Sequence, residues 1–124
     1  MPPPKSTYTD GFVIPLPKKS LVAYRKMAAV ACQVWLEHGA IDYKECVSDD
    51  TKADFGLSFP QGIKTKAGEV VVLAWITYKS KAHRDKVNAA VMKDPRMAEM
   101  CDPANPPFDV KRMLYGGFKI IVSA

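Results

Sequence analysis

Acidic, histidine and aromatic side chains at a few positions are the residues of this chain best suited to chemistry, and Asp10 is the first of them. It lies on one face of an apolar strand pattern, between Tyr8 and Phe12. A carboxylate in such surroundings needs hydrogen bonds or a cation, or its pKa rises, and such groups are frequent at functional sites. The alternative is a structural ion pair with an arginine such as Arg25, Arg84 or Arg112.

A second group of candidates recurs at steps of three and four residues, as on one face of a helix: Tyr24, Ala28, Ala31, Trp35 and His38. Small residues between aromatic ones can leave space for a ligand between the helix and a sheet. Ordinary packing is the alternative, with large sheet side chains over the alanines and His38 near the helix C-terminus. Tyr43, on the next predicted strand, is a further pocket candidate.

Motifs of several common enzyme classes are absent from the sequence. It contains no Gly-rich phosphate loop, no GxSxG, no HExxH and no Cys–His pair at catalytic spacing. Two histidines are too few for a protein-built transition-metal site. Cys32, Cys46 and Cys101 are far apart and indicate buried or semi-buried free thiols. We therefore expect neither a metal ion nor a cofactor.

The net charge of +5 raises the question of a nucleic-acid partner. The densest basic group is Lys79, Lys81, Arg84 and Lys86, interrupted by Asp85. Nucleic-acid interfaces usually cluster such residues on one face with aromatic residues between them. Here the basic residues are spread over the chain, which favours a solvated helix start. Nucleic acid is therefore not the expected partner.

Length, composition and hydropathy indicate how many domains the chain forms and whether it has a membrane-spanning segment. With 124 residues, 48% of them hydrophobic and 25% charged, the composition is that of an ordinary globular protein. We expect a flexible Pro-rich arm over residues 1–6 and a single domain over residues 7–124. No apolar run approaches the ~20 residues of a membrane span, and the N-terminus has no signal-peptide core. These features predict a cytoplasmic protein.

The predicted elements alternate in a recognisable order. Strands are predicted over residues 7–14, 40–47, 70–78 and 111–122, and long helices from residue 18 or 20 to 38 and after Ser80. Pro15 and Pro17 are expected to end the first strand, and Asp94-Pro95 to begin a short helix through Met100. The order β-α-β-β-α-β predicts an α+β, ferredoxin-like sandwich. Its antiparallel four-stranded sheet would have strands one and three central and both helices on one face.

Apolar residues on the other face of the sheet predict an assembly. The third predicted strand, residues 70–78, is apolar on both faces, and the fourth carries Leu114 and Phe118 on one face, with Gly116-Gly117 as a bulge or close approach. Residues 48–68 form a long connection whose apolar side chains predict that it packs on the protein. Two copies that pair through their open sheet faces would bury this apolar surface. We therefore expect a homodimer.

Five segments of the chain closely resemble the YbaA-like bacterial proteins, a family of unknown function (domain of unknown function 1428). They are TDGFVIPLPKKSLVAYRKMA, VWLEHGAIDYKECVSDD, SFPQGIK, EVVVLAWITYKSKAHRDKVNAAVMKDPRM and DPANPPFDVKRMLYGGF. The resemblance covers almost the whole chain in collinear order, and it implies the dimeric α/β-barrel fold. The wider superfamily includes cofactor-free monooxygenases, haem-degrading oxygenases and small-molecule isomerases, with sites between sheet and helices. Fold alone does not imply function.

Trp75 and His83 form, with Asp10, a pattern similar to the Asn–Trp–His set of haem-degrading barrel oxygenases. The pattern departs from that set, because Asp10 stands where an Asn is wanted and the separation of Trp75 from His83 is short. Either change would remove the haem-binding geometry. His83, one turn into a basic helix, is more typical of a surface residue.

Our leading hypothesis is a homodimer that binds a small molecule between sheet and helices, with a cofactor-independent oxygenase or isomerase as its enzymatic form. Its catalytic candidates are Asp10, His38, Trp75 and His83. Its pocket candidates are Asp10, Tyr24, Ala28, Ala31, Trp35, His38, Tyr43 and Trp75. An RNA-associated basic dimer and a structural or regulatory dimer without ligand are the alternatives.

Overall fold

A computed structural model describes residues 5–100 and 106–124 of the chain. The expected arm at residues 1–6 lies mostly outside the described residues, as does Cys101. The strands are β1 (Tyr8–Pro17), β2 (Asp42–Val47), β3 (Glu69–Tyr78) and β4 (Leu114–Lys119). The α-helices are α1 (Leu21–Glu37), α2 (Phe59–Ile63), α3 (Lys81–Met92) and α4 (Pro95–Met100). Short 3-10 turns precede α1 at Lys18–Ser20 and β4 at Val110–Arg112.

The four strands form one antiparallel sheet in the order β2-β3-β1-β4. The central pair, β1 and β3, is in register from Tyr8 opposite Tyr78 to Pro17 opposite Glu69. The α+β class and the four-stranded antiparallel sheet predicted from the sequence are thus confirmed.

The first strand ends at Pro17, as predicted, but the prediction that Pro15 also belongs to its end was wrong. Pro15 lies inside the strand opposite Val71, and Pro17 is its last residue, opposite Glu69. Backbone N–H groups alternate between the two neighbours of a central strand, and Lys18 donates to the Gly68 oxygen at 2.8 Å on the β3 side. The odd positions therefore face β4, whose pairing with β1 stops at Val13. The two prolines lack an N–H only where no acceptor lies opposite.

Other boundaries also differ from the expectation. The strand predicted over residues 111–122 is shorter, at Leu114–Lys119. The long connection contains α2, which Ser58 begins with a capping box to Gln61, and which Lys64 ends in a left-handed conformation with φ 57°. Ser80 caps α3 by accepting from the His83 N–H at 3.0 Å, as its position predicted.

The core lies between the sheet and its two long helices, which pack on the same face. One cluster joins Val34 of α1 and Val87 and Val91 of α3 to Ile76 and Tyr78 of β3. A second cluster joins Tyr24 of α1 to a set from the two central strands: Ile14, Leu16, Val72 and Ala74. The two clusters leave a gap beneath the middle of α1, where the candidate site lies.

The opposite face of the sheet is only partly covered. The short helix α2 contacts β1 and β3 at one end, where Pro15 and Val71 are buried. Further along this face Leu73 is 39%, Leu114 56% and Phe118 59% exposed. The described chain therefore leaves an apolar sheet surface open to solvent.

Candidate functional site

An apolar cavity of about 170 Å³ lies between α1 and the sheet. Its α1 wall is formed by Tyr24, Ala28, Ala31 and Trp35, which recur at helical spacing and so share one face. The two alanines leave room where larger side chains would reach the sheet. The remaining lining comes from Phe12, Ile14, Met27, Tyr43, Glu45, Ala74, Ile76, Met97, Phe108 and Met113.

Glu45 provides the carboxylate of this cavity. Its partner in the β2–β3 register is Ala74, a small residue that leaves space beside the carboxylate. Tyr43 donates to Glu45 Oε2 at 2.6 Å, and Tyr24 donates to Glu45 Oε1. Each carboxylate oxygen therefore accepts one phenolic hydrogen, as the acceptor-only chemistry of an ionised carboxylate requires.

The two tyrosines act as fixed donors. Burial raises the pKa of Tyr24 and of Tyr43 far above the ordinary value, and the hydrogen bond to Glu45 and the charge of its carboxylate raise the pKa further. Both phenols therefore stay protonated and neutral at physiological pH. The site combines one carboxylate acceptor with two neutral hydrogen-bond donors in an apolar cavity.

Contacts with α3 hold the Trp35 ring at the cavity wall. Its indole Nε1 donates to Asn88 Oδ1 at 3.1 Å, and the same oxygen accepts from the Tyr78 hydroxyl at 3.2 Å. The centroid of Trp35 lies 6.1 Å from that of Tyr43. Because Asn88, which is half-buried, accepts from both donors, the indole is oriented by the fold rather than by a ligand.

A larger groove of about 460 Å³ adjoins the cavity between α1 and β2. Tyr24, Ala28 and Glu45 line both spaces. Arg25 and Cys46 line only the groove. The Tyr24–Glu45 hydrogen bond therefore lies where the cavity and the groove meet.

Asp10 is 1% exposed but lies away from this cavity. Its Oδ1 accepts from Arg84 Nη1 at 2.6 Å, which selects Arg84 among the three arginines considered from the sequence. The guanidinium carbon of Arg84 also lies 5.1 Å from the centroid of the Tyr8 ring, and its Nη1 donates to Tyr115 at 3.2 Å. Asp10 and Arg84 thus form a buried structural ion pair that joins β1 to α3.

The structure also places His38, Trp75 and His83 outside the cavity. His38 Nε2 lies 2.9 Å from Asp94 Oδ2, beyond the end of α1. His83 Nδ1 accepts from the Lys79 N–H at 3.0 Å, and burial, with nearby Lys79 and Lys86, lowers its pKa. Trp75 neighbours Ile76, the register partner of Asp10, and so faces the other side of the sheet. Asp10, Trp75 and His83 do not form a common site.

Sequence reasoning placed Tyr24, Ala28, Ala31, Trp35 and Tyr43 in one pocket and missed Glu45. A signal was present: in β2 the alternation puts Glu45 on the same face as Tyr43. An acid between an aromatic and an aliphatic residue on an inward face was the available clue. Met97, Phe108 and Met113 follow α3 and so lie far from α1 in the chain, which is why no local pattern indicates them.

Within residues 5–100 and 106–124, no cluster of three or more His, Cys, Asp or Glu residues could hold a metal ion. Cys32 and Cys46 are free thiols, and Cys32 is half-buried as expected, but the expectation of burial was wrong for Cys46, which is exposed on the edge strand β2. Burial raises the pKa of Cys32. In the same described part of the chain, no helix is long and apolar enough to cross a membrane.

The fold and the site define an α+β protein with an apolar cavity, lined by one carboxylate, between a helix and an antiparallel sheet. Residues 7–110 match the family described as protein of unknown function (DUF1428), and the chain belongs to this family.

Two curated relatives extend this likeness over nearly the whole chain. The uncharacterized protein YbaA of Escherichia coli (strain K12) is 43% identical over 115 residues, which are 93% of this chain and 97% of that protein. YbaA of Shigella flexneri gives the same figures. A crystal structure from Burkholderia cenocepacia is 12% identical with a TM-score of 0.34 and covers 94% of this chain and 27% of its own. A score this low does not indicate a shared fold.

Proposed function

We propose that this protein binds a small, mainly apolar molecule in the cavity beneath α1, with Glu45 as the polar anchor. The observation that carries the proposal is an apolar space of about 170 Å³ around a hydrogen-bonded carboxylate. Protein interiors are close-packed, and apolar cavities of roughly 150 Å³ admit benzene. The expected ligand is therefore about the size of one aromatic ring with a short substituent.

The arrangement of the site also supports an enzymatic form of this function. An isomerase moves a proton between two atoms of its substrate, and a cofactor-independent oxygenase begins by removing one. Glu45 can accept such a proton, and the hydrogen bonds from Tyr24 and Tyr43 hold its carboxylate in place for that step. Binding without catalysis uses the same residues.

We propose further that two copies form a ferredoxin-like dimeric α/β barrel in the cytoplasm. The strand order β2-β3-β1-β4, with both long helices on one face, supports the ferredoxin-like topology. The exposed Leu73, Leu114 and Phe118 on the other face support pairing through the sheets.

The basic group of α3 gives less support to an RNA-associated function. Arg84 is committed to Asp10, and its side chain is 14% exposed. Lys81 pairs with Asp85 at 3.3 Å. Two of the four basic side chains, Lys79 and Lys86, are then left to contact phosphate, which is a small footprint for nucleic acid.

The test uses the methionines that line the cavity as reporters. Benzene is titrated into protein labelled at the methionine methyl carbons, and NMR shifts are expected for Met27, Met97 and Met113. Met92, which is 65% exposed, is expected to stay unshifted. Absence of any shift at the three lining methionines at saturating benzene would contradict the proposal.

A second test of the proposal fills the cavity by substitution and compares the result with a matched control variant. Ala31→Leu is expected to abolish the benzene shifts with an unchanged or raised denaturation midpoint, since filling a void commonly adds about 0.5–2 kcal/mol. Ala29→Leu, on the exposed side of the same helix, should leave the shifts unchanged. Destabilisation of Ala31→Leu by about 1–3 kcal/mol would instead indicate a close-packed helix.

A further inference from the structure

Three carboxylates with largely buried side chains each pair with an arginine. The side chains of Asp10, Glu69 and Asp94 are 2%, 9% and 9% exposed. They lie 2.6 Å from Arg84, 2.7 Å from Arg112 and 2.8 Å from Arg96, respectively. This pairing follows from physical chemistry, because a charge removed from water is costly unless an opposite charge compensates it.

Glu45 departs from this pattern. Its carboxylate lines an apolar cavity and accepts hydrogen bonds from two tyrosines. None of the ion pairs among the described residues involves it. Arg25 lines the adjoining groove but forms no ion pair with Glu45 in that part of the chain. The described residues therefore supply hydrogen-bond donors to this carboxylate and no counter-charge.

The other described residues that line the cavity do not compensate the negative charge of Glu45 either. Among its described residues there is one acid and no Lys, Arg or His. The phenols cannot offset the charge, because burial and Glu45 keep their pKa values high and the rings neutral. Aromatic rings, of which Trp35 and Phe108 are examples here, attract cations to their faces. An anionic ligand would meet only repulsion in such a space.

We propose that the cavity selects a small hydrophobic amine, whose ammonium group binds Glu45 while its apolar body occupies the space beneath Ala28 and Ala31. This inference rests on the proposed binding function and names its ligand class. The ammonium supplies the positive charge that the described cavity lining lacks. The cavity volume limits the apolar body to about one ring. The groove shared by Tyr24 and Glu45 gives the polar end of the ligand a route from solvent.

The experiment compares three probes of nearly equal size by calorimetric titration of the full-length protein. Benzylamine is a cation, benzyl alcohol is neutral and benzoate is an anion at neutral pH. We expect benzylamine to bind roughly tenfold or more tightly than benzyl alcohol, because a hydrogen bond between charged groups is the stronger one. Benzoate is expected to show no binding.

Substitution of the carboxylate separates its charge from its shape. Glu45→Gln should bring benzylamine to the affinity of benzyl alcohol while benzyl alcohol still binds, which also shows that the variant is folded. Glu99→Gln, an exposed acid on α4, should keep the full preference for the amine.

Each outcome has a distinct meaning. If benzyl alcohol or benzoate binds the wild-type protein as tightly as benzylamine does, the amine inference is wrong and the small-molecule function stands. If none of the three probes binds, the proposed function itself fails. If Glu45→Gln does not fold, the ranking of the three probes on the wild-type protein still decides between these outcomes.

Discussion

Arg84 Nη1 lies 2.6 Å from Asp10 Oδ1, although the two residues are 74 positions apart in the chain. The pair crosses from the central strand β1 to α3, and both side chains are largely removed from water. Loss of one partner would leave the other charge buried without compensation, which typically costs about 3–5 kcal/mol. The pair therefore determines how α3 sits on the sheet.

Arg84→Met is accordingly expected to lower the free energy of unfolding by roughly 3 kcal/mol or more. Chemical denaturation at neutral pH measures this change. Lys86→Met on the same helix, whose side chain is exposed, should change the value by less than about 0.5 kcal/mol. The double variant with Arg84→Met and Asp10→Asn should recover part of the lost stability, because no charge is then left unpaired. An equal loss in the single and the double variant would show that the unpaired Asp10 charge is not the cause.

Gly117 provides a second test, at the close approach of β4 to Tyr8. A Cβ at Gly117 would lie on the Tyr8 hydroxyl oxygen and 2.9 Å from Tyr8 Cζ, inside contact distance. Tyr8 is 8% exposed and stacks with Arg84, so it cannot swing away freely. Gly117→Ala should therefore destabilise the fold by about 1–3 kcal/mol. A Cβ at Gly116 would meet Phe118 at 3.5 Å, so Gly116→Ala is the matched control and should be neutral or slightly stabilising.

The stability of the protein in acid should depend on Glu69. Its hydrogen bonds with Arg112, at 2.7 and 2.8 Å, and with the Lys66 N–H lower the pKa of the Glu69 carboxyl from 4.5 to about 2. A carboxyl whose pKa is lower in the folded state stabilises the fold above its unfolded pKa, and this stabilisation is lost as the pH falls. Here the loss is expected between pH 4.5 and pH 2.

Denaturation of Glu69→Gln as a function of pH measures this contribution. Its free-energy difference from the wild-type protein should be largest above pH 4.5 and should shrink towards pH 2. The exposed Glu99→Gln should show a difference near zero throughout. A Glu69→Gln difference that stays constant over this window would mean that the lost contact is one of shape rather than charge.

Local sequence signals predicted the elements that depend on local physics. Ser80 has the side chain that caps α3, and the spacing of Tyr24, Ala28, Ala31 and Trp35 puts them on one face of α1. Gly117 was expected at a close approach, and Tyr8 supplies it. The cap and the helical face depend on residues only a few positions apart in the chain. The close approach was predicted because a glycine stands inside a strand pattern.

The predictions that failed depend on partners distant in sequence. Pro15 is tolerated inside β1 because β4 stops before reaching it, and the residues around the proline do not reveal that length. The five residues of α2 are too few to show helical periodicity. Glu45 enters the cavity because β2 pairs with β3 in a register that sets it beside Ala74 and beneath Tyr24. Only the assembled sheet brings these groups together.

The open sheet face predicts that the protein forms a dimer. Leu73, Leu114 and Phe118 lie on one surface of three strands and are 39%, 56% and 59% exposed, while α2 covers only the end near Val71. Light scattering coupled to size exclusion is expected to report a dimer at micromolar concentration.

Substitution of Phe118 tests whether this face forms the interface. In a two-fold assembly each substitution acts twice, so Phe118→Glu, at a cost of about 2 kcal/mol or more per site, should weaken association roughly a thousandfold. Met92→Glu, an equally exposed apolar position on α3, should leave the dimer intact. A wild-type protein that is monomeric and soluble at this concentration would mean that the sheet face needs no cover, and a dimer unaffected by Phe118→Glu would place the interface elsewhere.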